Sequence, residues 1–326
     1  MISPFFKNKG PFEIKQLLEL SNVLNTNDYS DTIVENVKDL VAATKDDITF
    51  FHSKKYETLA LKTKANFCIT THNLRHLLPK TCNPIIVENV LIATAKITAK
   101  FYPDSISDDF DYNVDNINIT TFKEKVKFGK NVLIGKNVSI GSNCLVGHNT
   151  IIESNVIIGE NCSIGSNVII RNSILKDNIN ILDSCVIGKK GFGFYPNQNK
   201  NIKYPHIGIV IIEDNCEIGC GSTIDRGSLS NTIIGKNTYI DNQVHIAHNN
   251  KIGSNCIIAG QVGFAGSSKL GNNVMIGGQA GISGHLEIGN NVQIAGGSGV
   301  IKNVPDNSRV MGYPAKDLKN FIKENK

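Results

Sequence analysis

The sequence has no uninterrupted apolar stretch long enough to span a bilayer, and its opening MISPFFKNKGPFEIKQLLEL carries no small-residue cleavage site. No membrane span and no secretory signal are therefore expected, and the chain is expected to be cytoplasmic. Charge of one sign is also scarce: 34 Lys+Arg against 29 Asp+Glu leave a formal charge of +5 over 326 residues. No Lys/Arg run makes a stripe in the body of the chain, which argues against a nucleic-acid partner. Basic residues gather only in 316-KDLKNFIKENK-326, readable as a solvated helix end or as a dock for an acidic partner. Complete metal-ligand motifs are missing too. Cys216 and Cys220 form a C-x3-C with no second half, and His245 with His248 an H-x2-H with no third ligand. No metal is expected. The eight cysteines are expected to be reduced. Cys144, Cys162, Cys216 and Cys256 share one repeat position and read as small core residues.

What the sequence does have is a period of six. Aliphatic or Phe residues stand at every sixth position from Phe128 to Ile170, return at Ile212, Ile218 and Ile224, and run unbroken from Ile234 to Val300. A glycine usually follows, and a second small or β-branched residue such as Val132, Cys144 or Thr150 comes four places on. Neither a helix nor an alternating strand has this period. A solenoid does: each hexapeptide makes one flat side, and three sides close a coil of about 18 residues. Gly and Asn are expected to turn its corners. Two interruptions, 188-GKKGFGFYPNQNKNIKYPHIG-208 and 225-DRGSLSN-231, leave the prism, as functional loops or as tolerated surface insertions.

The first third has another rhythm. Helices are expected over 12–20, 54–63 and 90–101, and strands over 47–51, 66–70 and 85–88. That alternation reads as an α/β domain over 1–102. A linker is expected over 103–117, the β-helix over 118–306, and a helical cap over 307–326 with a single helix at 314–325. The fold class is mainly β.

Two histidines stand out within the repeat. His248 lies two residues after the inward Ile246 and His285 three after the inward Ile282, so both should point outward. One outward histidine is usually a surface residue. Coil arithmetic raises the catalytic reading, because Gly266 lies one coil, 18 residues, beyond His248, and His285 lies 37 beyond it. The three share one longitudinal groove. A neutral histidine there takes a proton from an amine or hydroxyl, and a backbone N–H near Gly266 faces the developing oxyanion. Asp241 is a candidate orienting carboxylate, although coil arithmetic does not bring it to His248. Flat prism sides with outward histidines make incomplete sites, so a homotrimer with sites between neighbouring prisms is expected.

The stretches 221-GSTIDRG-227, 233-IIGKNTYIDNQVHIAHNNKIG-253 and 283-SGHLEIG-289, with GFGF at 191–194, resemble the UDP-3-O-(3-hydroxyacyl)glucosamine N-acyltransferases of lipid A biosynthesis. Residues 47-DITFFHSKKY-56 resemble that family's uridine-binding signature. The resemblance implies a left-handed parallel β-helix with His248 as general base, Gly266 as oxyanion donor and His285 as a second substrate-site histidine. Phe50 and Tyr56 would sandwich the uracil, with Ser53 where the family usually has Asn. Asp241, Asn249 and Gly299 would also meet substrate. The donor would be a 3-hydroxyacyl thioester on the phosphopantetheine of acyl carrier protein, with no resident cofactor, and the acceptor a UDP-sugar lipid. Some relatives carry a bulky side chain at the position of Gly299, so the small residues of 295-AGGSGV-300 imply an open groove end for long chains. The C-terminal helical segment is shorter than in many relatives. Two other readings stay open: the sibling O-acyltransferase of UDP-N-acetylglucosamine, which lacks an N-terminal α/β domain, and a non-enzymatic β-helical binding protein.

Overall fold

The computed structural model describes residues 4–24, 32–117, 122, 126–196 and 201–325. The expected start of the β-helix at 118 and the tip of the larger interruption at 197–200 lie outside these residues. The chain divides into two compact units, Met1–Ser107 with Gly193–Ile207, and Asp108–Phe192 with Gly208–Lys326.

The first unit is built on a four-stranded parallel sheet in the order Asn36–Val37, Asp47–Phe51, Phe67–Thr70, Asn83–Ile86. The helix Val90–Phe101 buries Val90, Ala93, Ile97 and Phe101, and the Asn89 side chain caps it by accepting the Ile92 N–H at 3.0 Å. The expected helix at 12–20 is a short strand Phe12–Glu13 followed by the helix Ile14–Glu19. The one expected at 54–63 breaks into a 3-10 turn, Lys54–Tyr56, and the helix Glu57–Ala60.

The second unit is a parallel β-helix whose three sheets hold 8, 11 and 10 strands among the described residues. Each hexapeptide contributes a two-residue strand, one side chain out and the next in, as in Ile151–Ile152. The inward isoleucines other than Ile140 are buried, and each contributes about 1.5–3 kcal/mol of hydrophobic stabilisation. Asparagine turns the corners. Asn131, Asn137 and Asn143 take φ of 57°, 58° and 60°, and the left-handed conformation recurs at every sixth residue for most of the stack. Glycine turns a corner too, at Gly221 and Gly297 with φ of 66° each, but the glycines that follow the inward residues have a different task. A Cβ on Gly135 would lie 2.2 Å from the Ser154 nitrogen, so this glycine lets successive coils approach and does not turn the chain. Thr150 and Cys144 hydrogen-bond the carbonyl of the next coil, at 2.7 Å to Gly165 and 3.2 Å to Gly159.

The broken periodicity after Ile170 is a phase shift. Ile158, Ile164 and Ile170 align with Leu175, Ile181 and Ile187, one residue short of a regular coil, and these in turn align with Ile212, Ile218 and Ile224. The prism stays in register throughout. The stretch expected as a linker is fastened to the β-helix from Asp108 onward. The Asp108 carboxylate pairs with the buried Arg226 at 2.6 Å, Asp111 accepts the Ser154 N–H at 2.8 Å, and Asp115–Asn116 runs antiparallel to Leu133–Ile134. At the other end Arg309–Met311 continues one sheet, Lys316–Asp317 folds back antiparallel on it, and the helix is confined to Leu318–Glu324.

Candidate active site

His248 sits at a corner of the prism, just past the strand His245–Ile246. Its Nδ1 lies 2.8 Å from Oδ1 of Asn249, the corner residue with φ 63°. The orientation of that amide is forced. Its Oδ1 accepts the Ser228 N–H at 3.1 Å and its Nδ2 donates to the Ser230 carbonyl at 3.0 Å, contacts that a flipped amide could not make. An acceptor opposite Nδ1 requires the proton on Nδ1, so the lone pair of the neutral ring is on Nε2. Ser228 and Ser230 belong to the smaller interruption, 225–231. That loop therefore sets the tautomer of His248.

Gly266 lies one coil along, directly under the ring. A Cβ there would stand 2.6 Å from Cε1 and 2.8 Å from Nε2 of His248, so the imidazole occupies the space a side chain would need. At this repeat position the backbone N–H ordinarily donates to a side chain of the next coil, as Lys136 does to Ser154 Oγ at 2.9 Å. For Gly266 the next coil offers Gly284, which has no such side chain. Among the described residues no acceptor takes the Gly266 N–H. His285 follows one coil further, exposed, in the left-handed conformation, with its N–H donating to the Gly266 carbonyl at 3.0 Å. A base with its lone pair on Nε2, an uncommitted backbone donor and a second histidine thus share one edge. The coil arithmetic places all three correctly.

Other expected residues stand elsewhere. Asp241 occupies a different corner, before the strand His245–Ile246, and lines a groove of ≈ 540 Å³ with Gln243, Gln261, Gln279, Gly260 and Gly278. Within one chain it does not meet His248. Gly299 does not lie in open space. It is buried beneath Tyr313, whose ring would come within 2.0 Å of a Cβ at that position, and Ala315 donates to its carbonyl at 2.6 Å. The space directly over Gly299 is taken by a side chain from beyond the repeat. In the first unit Phe50 and Tyr56 are half-buried, while their neighbour Phe51 is the core aromatic. The His52 ring stands 5.9 Å from Phe50 and 5.4 Å from Tyr56, in stacking range of both. The Ser53 hydroxyl caps the following turn, accepting the Lys55 N–H at 3.4 Å.

Sequence reading missed Ser228, Ser230 and Asp225. Their only signal was that two serines and an aspartate crowd an interruption immediately before the histidine coil. Asp225 is buried, and burial raises its carboxyl to about 6, against the pull of Lys189 and of charge on His248. Burial also lowers His245, whose Nδ1 is 2.7 Å from Thr223 Oγ1.

Comparisons with known proteins bear on the family and the fold. Residues 31–100 match the family model described as UDP-3-O-(3-hydroxymyristoyl) glucosamine N-acyltransferase, LpxD, and 137–172 and 231–266 match bacterial transferase hexapeptide repeats. A UDP-3-O-acylglucosamine N-acyltransferase 2 of Legionella pneumophila is 42% identical over 98% of this chain and 94% of its own length. A UDP-3-O-acylglucosamine N-acyltransferase of Rickettsia prowazekii is 41% identical over 76% of this chain and 72% of its own. Among solved structures, the UDP-N-acetylglucosamine acyltransferase of Francisella novicida superposes with a TM-score of 0.53 at 25% identity, covering 61% of this chain and 73% of its own. That of Campylobacter jejuni gives 0.52 at 23% identity, over 59% and 73%. The second unit is a left-handed parallel β-helix of the acyltransferase kind. With a relative this similar over nearly its whole length, the chain belongs to the UDP-3-O-acylglucosamine N-acyltransferase family.

Proposed function

We propose that this enzyme moves a 3-hydroxyacyl group from the phosphopantetheine thioester of acyl carrier protein to the 2-amino group of UDP-3-O-(3-hydroxyacyl)glucosamine, in lipid A biosynthesis. The observation that carries this reading is the His248 ring, its Nδ1 held by Asn249, lying over the unpaired Gly266 N–H. As the sugar nitrogen attacks the thioester carbonyl, Nε2 of His248 takes its proton and the Gly266 N–H donates to the oxyanion. Collapse of the tetrahedral intermediate breaks the C–S bond, and the departing thiolate recovers the proton from His248. No resident cofactor enters.

The reading extends to assembly and to substrate. Because Asp241 and His248 stand at different corners, a site that uses both draws them from two copies, which supports a homotrimer. Phe50, His52 and Tyr56 form the aromatic set for uracil, and the exposed Lys319 and Lys323 of the last helix suit an acidic carrier. The proposed compartment is the cytoplasm, where the thioester donor is made; no helix among the described residues is long and apolar enough to cross a membrane.

Mass spectrometry of the product from acyl carrier protein thioesters and UDP-3-O-acyl-glucosamine tests the reaction, with the N-acylated sugar as the expected mass. Light scattering tests the trimer, and a fully active monomer would refute it. Replacing Phe50 or Tyr56 by Ala is expected to weaken UDP-sugar binding by about 1–3 kcal/mol while carrier binding stays the same.

A further inference from the structure

Asp225 is a buried carboxylate that lacks the partners its neighbours have. It lies on the strand Thr223–Arg226 with 5% of its surface exposed. Two neighbouring acids of the prism are satisfied: Asp108 by Arg226 at 2.6 Å, and Glu153 by Arg171 at 2.9 Å. Among the described residues no donor hydrogen-bonds the Asp225 side chain, and its closest basic nitrogen is Nε2 of His245 at 3.9 Å, beyond hydrogen-bond length. Burying such a group is costly unless something completes it.

The register says what it faces. Thr223 pairs with His245 and Ile224 with Ile246, which carries Asp225 alongside Ala247, one residue before the catalytic His248. Asp225 and Thr223 share the outward face of the strand. Thr223 Oγ1 holds Nδ1 of His245 at 2.7 Å, so the opposite nitrogen of that ring is turned to the carboxylate. A carboxylate short of donors, an imidazole nitrogen and the proposed base therefore border one spot.

We propose that Asp225 and His245 form the subsite that receives the amino group of the acceptor sugar, with an amine N–H donating to the carboxylate. This rests on the N-acyltransferase reading and deepens it. The contact completes the buried acid and turns the nitrogen lone pair toward the thioester, while His248 takes the other proton. Lys189, His248, His245, Arg226 and Asp108 are the charged or titratable groups around Asp225, and with its carboxyl near 6 it is ionised at neutral pH.

The test is calorimetric binding, to wild type and Asp225→Asn, of the amine-bearing UDP-3-O-acyl-glucosamine and of its N-acetylated analogue, with steady-state kinetics beside it. The variant is expected to lose at least tenfold in affinity for the amine and less than twofold for the acetamide. The acceptor KM should rise and the carrier thioester KM stay the same. Wild-type affinity for the amine, relative to the variant, should grow as pH rises through about 6. Equal losses for both ligands, unchanged amine affinity in a folded variant, or an effect confined to the thioester KM would each overturn the subsite. If Asp225→Asn does not fold, His245→Gln carries the same comparison. A wild type that discriminates amine from acetamide but acylates no UDP-amino sugar would sink the N-acyltransferase reading and leave the amine subsite standing.

Discussion

Two edges of the prism run through the same coils and differ in one respect. Along the edge of Ser254, Asn272 and Asn290, each backbone N–H is capped by a side chain of the next coil, at 2.8 Å, 2.8 Å and 2.7 Å. Along the edge of His248, Gly266 and Gly284 the caps are missing, and the ring of His248 lies over the bare glycine. The repeat builds the first edge for stability. It gives up caps on the second, leaving an uncapped N–H and an imidazole, the two groups the proposed reaction uses. In a solenoid, function is found where the repeat fails to complete itself.

The sharpest way to break the contrast is His248→Ala, which is expected to lose at least about a hundredfold in kcat while keeping nucleotide binding. Near-normal turnover in a correctly assembled variant would refute the assignment. Adding one methyl to each kind of glycine separates them next. Gly266→Ala should displace the base and lower kcat by roughly tenfold to a hundredfold with little change in melting temperature. Gly253→Ala meets the Gly271 carbonyl at 2.2 Å, and should lower the melting temperature instead. Asn249→Ala removes the amide that fixes the Nδ1 proton, and about a tenfold fall in kcat is expected, with acceptor KM little changed. The smallest effect belongs to the capped edge. Asn272→Ala uncaps the Ser254 N–H, costs about 1 kcal/mol or less by chemical denaturation, and leaves turnover intact.

The repeat made most of the fold legible, because a column of inward residues six apart allows one arrangement of coils. It also made His248, Gly266 and His285 legible, since stacking converts a spacing of one coil into contact. Counting by six failed where the chain dropped a residue between Ile170 and Leu175, although the core there is continuous. Features that come from outside the repeat were not readable. Tyr313 reaches Gly299 from the segment after the last coil, and Asp108 reaches Arg226 from before the first. Ser228 and Ser230 reach Asn249 from an interruption whose path no period describes. The aromatic set of the first unit was legible as residue types only. That His52 joins Phe50 and Tyr56 depends on side-chain directions around a strand end.

The antiparallel strands at the two ends bear on how the molecule stays finite. A stack of parallel coils is a template that would accept another coil, or another molecule, on each open rim. Here Asp115–Asn116 lies antiparallel against the first coil of one sheet and Lys316–Asp317 antiparallel beyond the last strand of another. Each presents a reversed and acidic or mixed-charge border where continued growth would need a parallel, apolar one. At each end one of the three sheets is closed in this way, so the rim that a further parallel coil would need is interrupted by residues that belong to neither the repeat nor the proposed active site.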